Sequence, residues 1–320
     1  MMRVGLIGVG TMGAHMARHL LDRGHELAVN DVRPEGCAAL VELGAVLAAT
    51  PAELAARSEV VLTSLPGPTQ VEEVALGADG VLAGATSGTV HLDLSTNAWS
   101  TVMRTHAAYE GSGVEFLDAP VSGGPKGAAS GKLAVWVGGD EDAFMRARPV
   151  LDDLADRVAH VGAIGAGTVV KLAHNATGNS LNLVLAELFS VADAAGVDPL
   201  TVWRYVRQGA IGRRRTFDSL AEHFLIDDYD PPAMTLSLAR KDMALLVDLA
   251  ESVGFEAPVA RSTLDRMDEA ASRGWDLRDS RVPMLLARER LGERASPAAT
   301  REQVAAVLAE DPPSPQDVRH

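Results

Sequence analysis

The chain has 320 residues, and at roughly 100 to 200 residues per domain two domains are expected. Its 29 basic and 43 acidic residues leave a net charge of −14 with no compensating lysine- or arginine-rich tract, which argues against nucleic acid or an anionic membrane as partner. Hydrophobic residues at 47% and charged ones at 22% exclude disorder as the main theme and suffice for large cores.

Lysine occurs only as Lys126, Lys132, Lys171 and Lys241, the other 25 basic residues being arginine, so each lysine is weighed individually. The single cysteine, Cys37, rules out an intramolecular disulfide and points to a reducing compartment. Within GCAALVELG it reads as apolar filler rather than a catalytic thiol. MMRVGLIGVG lacks the pattern of a secretory signal and no 18-residue apolar run occurs, so a soluble, cytoplasmic protein is expected.

In chain order, RVGLI at 3–7 reads as a buried strand, Thr11 to Gly24 as a helix closed by glycine, and ELAVN at 26–30 as the next strand. The alternation continues: a helix near 34–43, strand 60–65, helix near 69–76, strand 89–94 and helix near 98–110. Strands at 114–119 and 133–139, a helix near 140–155 and a strand at 157–162 follow. Such alternation predicts parallel crossovers and an open α/β sheet.

After Gly162 the period becomes helical, with one long helix from Ala166 to Ala195. Further helical spacing follows near 198–208, 215–225, 235–253, 258–273 and 282–291. The predicted organisation is a doubly wound domain at 1–164, an all-helical domain at 165–292 and an extension at 293–320. The proline-rich end EDPPSPQDVRH is expected to be a disordered tail.

Gly8, Gly10 and Gly13 form a G-x-G-x-x-G between a predicted strand and a helix, the context of a dinucleotide fingerprint. The loop Gly8, Val9, Gly10, Thr11, Met12 and Gly13 would let a pyrophosphate rest on the helix N-terminal amides. Asp31 ends the second strand 18 residues beyond Gly13, near the ~20-residue spacing of the acid that binds the ribose 2′-hydroxyl. A carboxylate there favours NAD over NADP. Arg33 is the competing signal, able to reach a 2′-phosphate or to stand as a solvated loop charge. Ligands in open α/β sheets lie beyond the carboxyl ends of the strands, here Leu65 and Pro66 and then Ser95 and Thr96, although turn and N-cap roles would suit these residues too.

The segment DAPVSGGPKGAASGKL begins at another strand end. Its Ser122, Gly123 and Gly124 form a turn whose hydroxyl and amides would cradle a carboxylate, or equally start a serine-capped helix. Lys126 and Lys132 read as solvated charges. Lys171 stands among Val169, Val170, Leu172 and Ala173, with Asn175, Asn179 and Asn182 following at helical spacing. Three of the chain's five asparagines lie in this stripe, and Gly178 beside it suggests close approach by backbone or ligand. A partly desolvated lysine there would move toward proton exchange near neutral pH, whereas the alternative is a polar stripe packed on another helix. Lys241, beside Asp242 on an amphipathic helix, would reach cofactor or substrate, or else face solvent.

Together GLIGVGTMG at 5–13, DLST at 93–96, DAPVSGG at 118–124, GAGTVVKLAHN at 165–175 and RKD at 240–242 resemble the β-hydroxyacid dehydrogenases. This is the family of 3-hydroxyisobutyrate dehydrogenase, related to 6-phosphogluconate dehydrogenase. The resemblance covers about residues 3–290. It implies a Rossmann domain joined by a long helix to a helical domain, and homodimers or homotetramers. It also implies Lys171 as catalytic acid/base, substrate held by Ser122, Gly123, Gly124 and Asn175, and Thr96 and Lys241 on the cofactor, with no metal. Trp99 stands where the family usually has proline, and GRRRTF at 212–217 is unlike the 3-hydroxyisobutyrate enzymes.

The expected reaction is reversible oxidation of a small 3-hydroxy acid with NAD. A semialdehyde reductase of the tartronate semialdehyde type shares every site residue, and kinetics in both directions discriminate the two. Lys171 argues against an imine-reducing relative, and the intact lysine and anion loop argue against a silent nucleotide-binding protein. Arg213, Arg214 and Arg215 raise the further idea that a second acidic group of the substrate is bound there, the alternative being a solvated basic turn.

Overall fold

The computed structural model describes residues 1–194, 196–208, 220–221, 223–252, 257–290 and 299–310. The chain divides into two compact units, Met1–Ala173 and His174–His320. The first opens with β1 (Arg3–Ile7), α1 (Gly13–Asp22) and β2 (Glu26–Asn30), then a 3-10 turn (Pro34–Cys37), α2 (Ala38–Glu42) and β3 (Val46–Leu47). It continues with α3 (Pro51–Ala56), β4 (Val60–Thr63), α4 (Pro68–Leu76), α5 (Val81–Gly84), β5 (Val90–Asp93) and α6 (Trp99–Tyr109). Then come β6 (Glu115–Asp118), β7 (Val121–Ser122), α7 (Gly124–Ser130), β8 (Leu133–Gly138), α8 (Glu141–Asp152) and β9 (Ala155–Gly162).

The nine strands form one sheet in the order β3-β2-β1-β4-β5-β6-β8-β7, with β9 beside β8. From β3 to β6 every pairing is parallel, as the alternation of elements predicts. Both faces are covered, which is why the strands read as unbroken apolar runs. Leu6, Val29, Leu62 and Leu92 pack with Met16 and Leu20 of α1 and Phe144 and Leu151 of α8. Their neighbours Ile7, Ala28 and Val61 face the other way, onto Leu54 and Val81. Each such leucine, fully buried, contributes roughly 1.5–3 kcal/mol.

An all-parallel sheet is not what forms beyond β6. There β8 runs antiparallel to β6 and β7. The reason is length: a parallel crossover needs about a dozen residues or more, and the stretch from Ser122 to Leu133 holds only the short α7. Cys37 is fully buried, and burial first, then the nearby Asp31 and Glu35 charges, pushes its thiol up, as suits apolar filler.

The long helix α9 (Ala166–Ala194) begins in the first unit and enters the second. The second unit continues with α10 (Pro199–Val206), α11 (Leu236–Ser252), α12 (Pro258–Ser272), α13 (Met284–Glu289) and α14 (Arg301–Glu310). Among its described residues the only β-pairing is the isolated bridge Thr235↔Asp279. One core gathers Leu185, Trp203, Phe224 and Met284 with Val304 and Val307 of α14; another gathers Tyr229, Met243, Val247, Leu264 and Met267.

Helix α14 lies in the extension for which the sequence predicts only a disordered end. It is started by a reciprocal cap, Gln303 N–H donating to Thr300 Oγ1 (3.2 Å) while Thr300 N–H donates to Gln303 Oε1 (2.7 Å). The proline-rich end at 311–320, most of the helical segment predicted at 215–225, and Arg213, Arg214 and Arg215 lie outside the described residues. Among the described residues no helix is long and apolar enough to cross a membrane.

Candidate active site

β1 delivers the glycine turn to the point where the strand order reverses, with β2 on one side and β4 on the other. Gly8 has φ of +89°, and a Cβ on it would lie 2.3 Å from the Ser64 carbonyl oxygen; one on Gly13 would lie 1.9 Å from that of Gly8. The turn's own packing therefore explains both. Gly10 differs, because nothing lies within 4 Å of where its Cβ would stand. That open space adjoins the start of α1, whose first turn carries no acidic residue and no side-chain cap. A helix N-terminus with no acidic residue or side-chain cap, beside a space that a side chain on Gly10 would fill, fits the pyrophosphate of a dinucleotide. Val9 is buried, Met12 half-buried and Thr11 exposed.

Asp31 follows β2. Its Oδ2 accepts the Val9 N–H (2.9 Å) and its Oδ1 the Arg33 N–H (2.9 Å), so the acid is tied to the glycine turn. The Arg33 guanidinium lies 4.0 Å from Asp31 with its side chain 74% exposed, a surface pair of little energetic weight.

The ends of β4 and β5 are bound together. Leu65 N–H donates to Ser95 Oγ (2.9 Å), and Ser95 N–H donates to Asp93 Oδ1 (3.1 Å). Asn97 Nδ2 donates to the other oxygen of Asp93 (2.9 Å). Burial pushes the Asp93 carboxyl up, and its bonds from Ser95, Asn97 and Thr63 oppose this. Thr96 beside it is half-buried, and Pro66 is exposed.

Ser122 closes β7, and Gly123 (φ +130°) and Gly124 (φ +58°) turn the chain into α7. Gly123 occupies the N-cap position, so Ser122 precedes the helix rather than capping it. Nothing lies within 4 Å of a Cβ position on Gly124. Lys126 and Lys132 are exposed.

Asp118, at the end of β6, accepts the amide hydrogens of Gly165 (2.7 Å) and Thr168 (2.6 Å). The buried carboxylate thus serves the unsatisfied N-terminal amides of α9 from 47 and 50 residues away. Burial pushes its carboxyl up while those amide bonds oppose the shift. A Cβ on Gly167 would lie 2.2 Å from the Trp136 carbonyl oxygen, so α9 starts in close contact with β8. One turn past Thr168 comes Lys171, half-buried beside fully buried Leu172.

In the second unit Asn175 Nδ2 donates to Asp242 Oδ2 (2.5 Å), and Lys241 Nζ stands 3.1 Å from Asp242 Oδ1. Asp242 is only 3% exposed. Asn179 and Asn182 are half-buried; Gly178 is exposed with no atom within 4 Å of its Cβ position, so the close backbone approach suggested by the sequence is absent there. The buried carboxylates Asp93, Asp118 and Asp242 are what sequence reasoning underweighted. For Asp93 and Asp118 the available signal is an aspartate ending an apolar strand before a Ser-, Asn- or Gly-bearing turn; Asp242, inside α11, carries no such signal.

Residues 3–162 match the family model described as the NAD binding domain of 6-phosphogluconate dehydrogenase. Residues 165–283 match the one described as the NAD-binding region of NADP-dependent 3-hydroxyisobutyrate dehydrogenase. A 3-hydroxyisobutyrate dehydrogenase of Pseudomonas aeruginosa is 37% identical over 209 residues, 65% of this chain and 70% of that protein. The chloroplastic glyoxylate/succinic semialdehyde reductase 2 of Arabidopsis thaliana is 32% identical over 271 residues, 85% of this chain and 75% of that protein. The solved 3-hydroxyisobutyrate dehydrogenase of Mycobacterium tuberculosis with L-serine is similar with a TM-score of 0.79 at 30% identity, covering 89% of this chain and 98% of that one. With the Rossmann-like sheet and the helical second unit already established, these likenesses mean that the chain belongs to the β-hydroxyacid dehydrogenase family, NAD(P)-binding oxidoreductases acting on the CH–OH group of hydroxy acids.

Proposed function

We propose that the protein catalyses reversible, NAD-dependent oxidation of a small 3-hydroxy acid of the 3-hydroxyisobutyrate type, with Lys171 as the acid/base. The observation that carries this reading is the setting of Lys171: half-buried on α9, one turn beyond amides held by Asp118. The name of the Mycobacterium tuberculosis neighbour and its L-serine, itself a 3-hydroxy acid, support the substrate class.

Ser122 with the amides of Gly123 and Gly124 would take the substrate carboxylate, and Asn175 would help fix the substrate. Because one Nδ2 hydrogen of Asn175 is committed to Asp242, the Asn175 carbonyl oxygen and its remaining N–H are left to meet other groups. Neutral Lys171 accepts the hydroxyl proton during oxidation, and its ammonium returns that proton in the reverse direction. NAD, when bound, would supply the acceptor for the hydride that leaves the carbinol carbon. Gly8, Val9, Gly10, Thr11, Met12 and Gly13 would hold the pyrophosphate, and Asp31 the adenosine ribose. Leu65, Pro66, Thr96 and Lys241 would contact the remainder.

Asp31 supports NAD over NADP, since a carboxylate accepts from a 2′-hydroxyl and repels a 2′-phosphate. A second reading is favoured by the name of the Arabidopsis relative: reduction of a semialdehyde by NADH or NADPH, using the same residues. A panel of 3-hydroxy acids and semialdehydes, assayed in both directions with NAD and NADP, tests the assignment. The highest kcat/KM with a 3-hydroxy acid and NAD is the expected result. A homodimer or homotetramer is proposed for the assembly, measurable by light scattering.

A further inference from the structure

The polar groups behind the β4 and β5 turns form a buried chain with one direction. Thr63 Oγ1 donates to Asp93 Oδ1 (3.0 Å) and lies 3.2 Å from His91 Nε2; His91 Nδ1 lies 2.8 Å from the Tyr109 hydroxyl. Since the Thr63 proton goes to Asp93, His91 must donate from Nε2 and accept from Tyr109 at Nδ1, a tautomer assigned from its partners. Burial pushes the His91 imidazole down to about 3, so it is neutral. Every bond of the chain therefore points toward Asp93.

All four side chains are buried. A carboxylate out of water is costly unless donors surround it, and a buried network of this kind is rigid when fully satisfied. Here the donors come from three places: Thr63 of β4, the Ser95 amide after β5, and Asn97, whose Oδ1 also accepts the Ala98 N–H (2.8 Å) just before α6. Ser95 carries the constraint onward, its hydroxyl oxygen accepting the Leu65 N–H.

β4 and β5 lie on the far side of β1 from β2. On the dinucleotide reading, on which this step rests, Asp31 beyond β2 takes the adenosine ribose. The other half of the dinucleotide then crosses the switch point and lies over the ends of β4 and β5. We infer that Asp93 is a positioning residue for the nicotinamide half of the cofactor: through Ser95 it locks the Leu65 and Thr96 turns to each other, with Tyr109, His91 and Thr63 orienting it from behind.

The test compares binding of NADH, by its fluorescence, and of ADP, by calorimetry, to the full-length wild type, Asp93→Asn and Ser95→Ala. ADP probes only the Gly8–Gly13 and Asp31 half. The expected result for Asp93→Asn is NADH affinity reduced by about tenfold or more with ADP affinity unchanged, on the scale of one hydrogen bond to a charged group. Ser95→Ala should show the same split at smaller size, and it decides the question alone if Asp93→Asn does not fold. Parallel losses for both ligands, or no loss of NADH affinity, would overturn the proposal. A wild-type protein that binds no ADP would overturn the dinucleotide reading itself.

Discussion

Asn175 is held by Asp242: its amide donates to a carboxylate that is almost fully buried, and Lys241 stands against that carboxylate's other oxygen. A residue proposed to meet substrate and one proposed to meet cofactor therefore share a single counter-charge. Removing it in Asp242→Ala leaves the Asn175 amide unanchored and takes the carboxylate from beside Lys241. A hydrogen bond to a charged group is worth about 1.5–3 kcal/mol, so kcat/KM should fall roughly 10- to 100-fold, mainly through KM. Steady-state kinetics at saturating NAD check this; a loss confined to kcat would contradict it.

Asp31 should govern cofactor choice. In Asp31→Ser the repulsion of a 2′-phosphate disappears while the exposed Arg33 remains. The ratio of kcat/KM for NAD to that for NADP should drop by about tenfold or more, the scale of one charge-assisted contact. An unchanged ratio would remove Asp31 from the ribose site.

Acid should destabilise the protein partly through His91. Burial pushes its imidazole down to about 3 in the folded state, against an ordinary value of 6.5. Between these values the unfolded chain binds a proton that the native state refuses, so stability is present above 6.5 and is lost as pH falls toward 3. The slope is about 1.4 kcal/mol per pH unit for one proton. In His91→Asn, denaturant unfolding at pH 7 and pH 5 should show a shallower loss than wild type. Equal slopes would mean that the imidazole titrates freely in the native state.

Helix α14 should contribute to the stability of the second unit. Thr300→Ala removes one half of the reciprocal cap and should cost about 1 kcal/mol. Val307→Ala, at a position 3% exposed against the Trp203 core, should cost about 1–3 kcal/mol by leaving a cavity. Chemical denaturation monitored by tryptophan fluorescence measures both; two silent variants would mean that α14 does not dock in solution.

The start of the fold was legible because G-x-G-x-x-G and Asp31 sit at a spacing that a strand, helix, strand unit enforces. The long α9 was legible because its apolar period runs unbroken across a change of unit. The reversal at β7 was not, since Val121–Ser122 offers only two strand residues and the helix after it is glycine-rich. Nor is α14 plain in the sequence: Thr300 and Gln303 with Val304 and Val307 spell a cap and an apolar stripe, but the helix is only ten residues long and runs straight into the proline-rich end. In the candidate site, local spacing singles out the glycine turn, Asp31 and the Lys171–Asn175 stripe as candidates. It does not single out the carboxylates that hold the site, because Asp118 meets amides 47 and 50 residues downstream and Asp242 meets an asparagine 67 residues upstream.

On the proposed function, Lys171 moves the proton. The most direct test is Lys171→Ala, measured for turnover in both directions with the best 3-hydroxy acid and for NADH binding by fluorescence. Positioned acid–base groups typically contribute about 10²- to 10⁴-fold. Turnover should fall on that scale with NADH affinity unchanged. Turnover within a few-fold of wild type would contradict it.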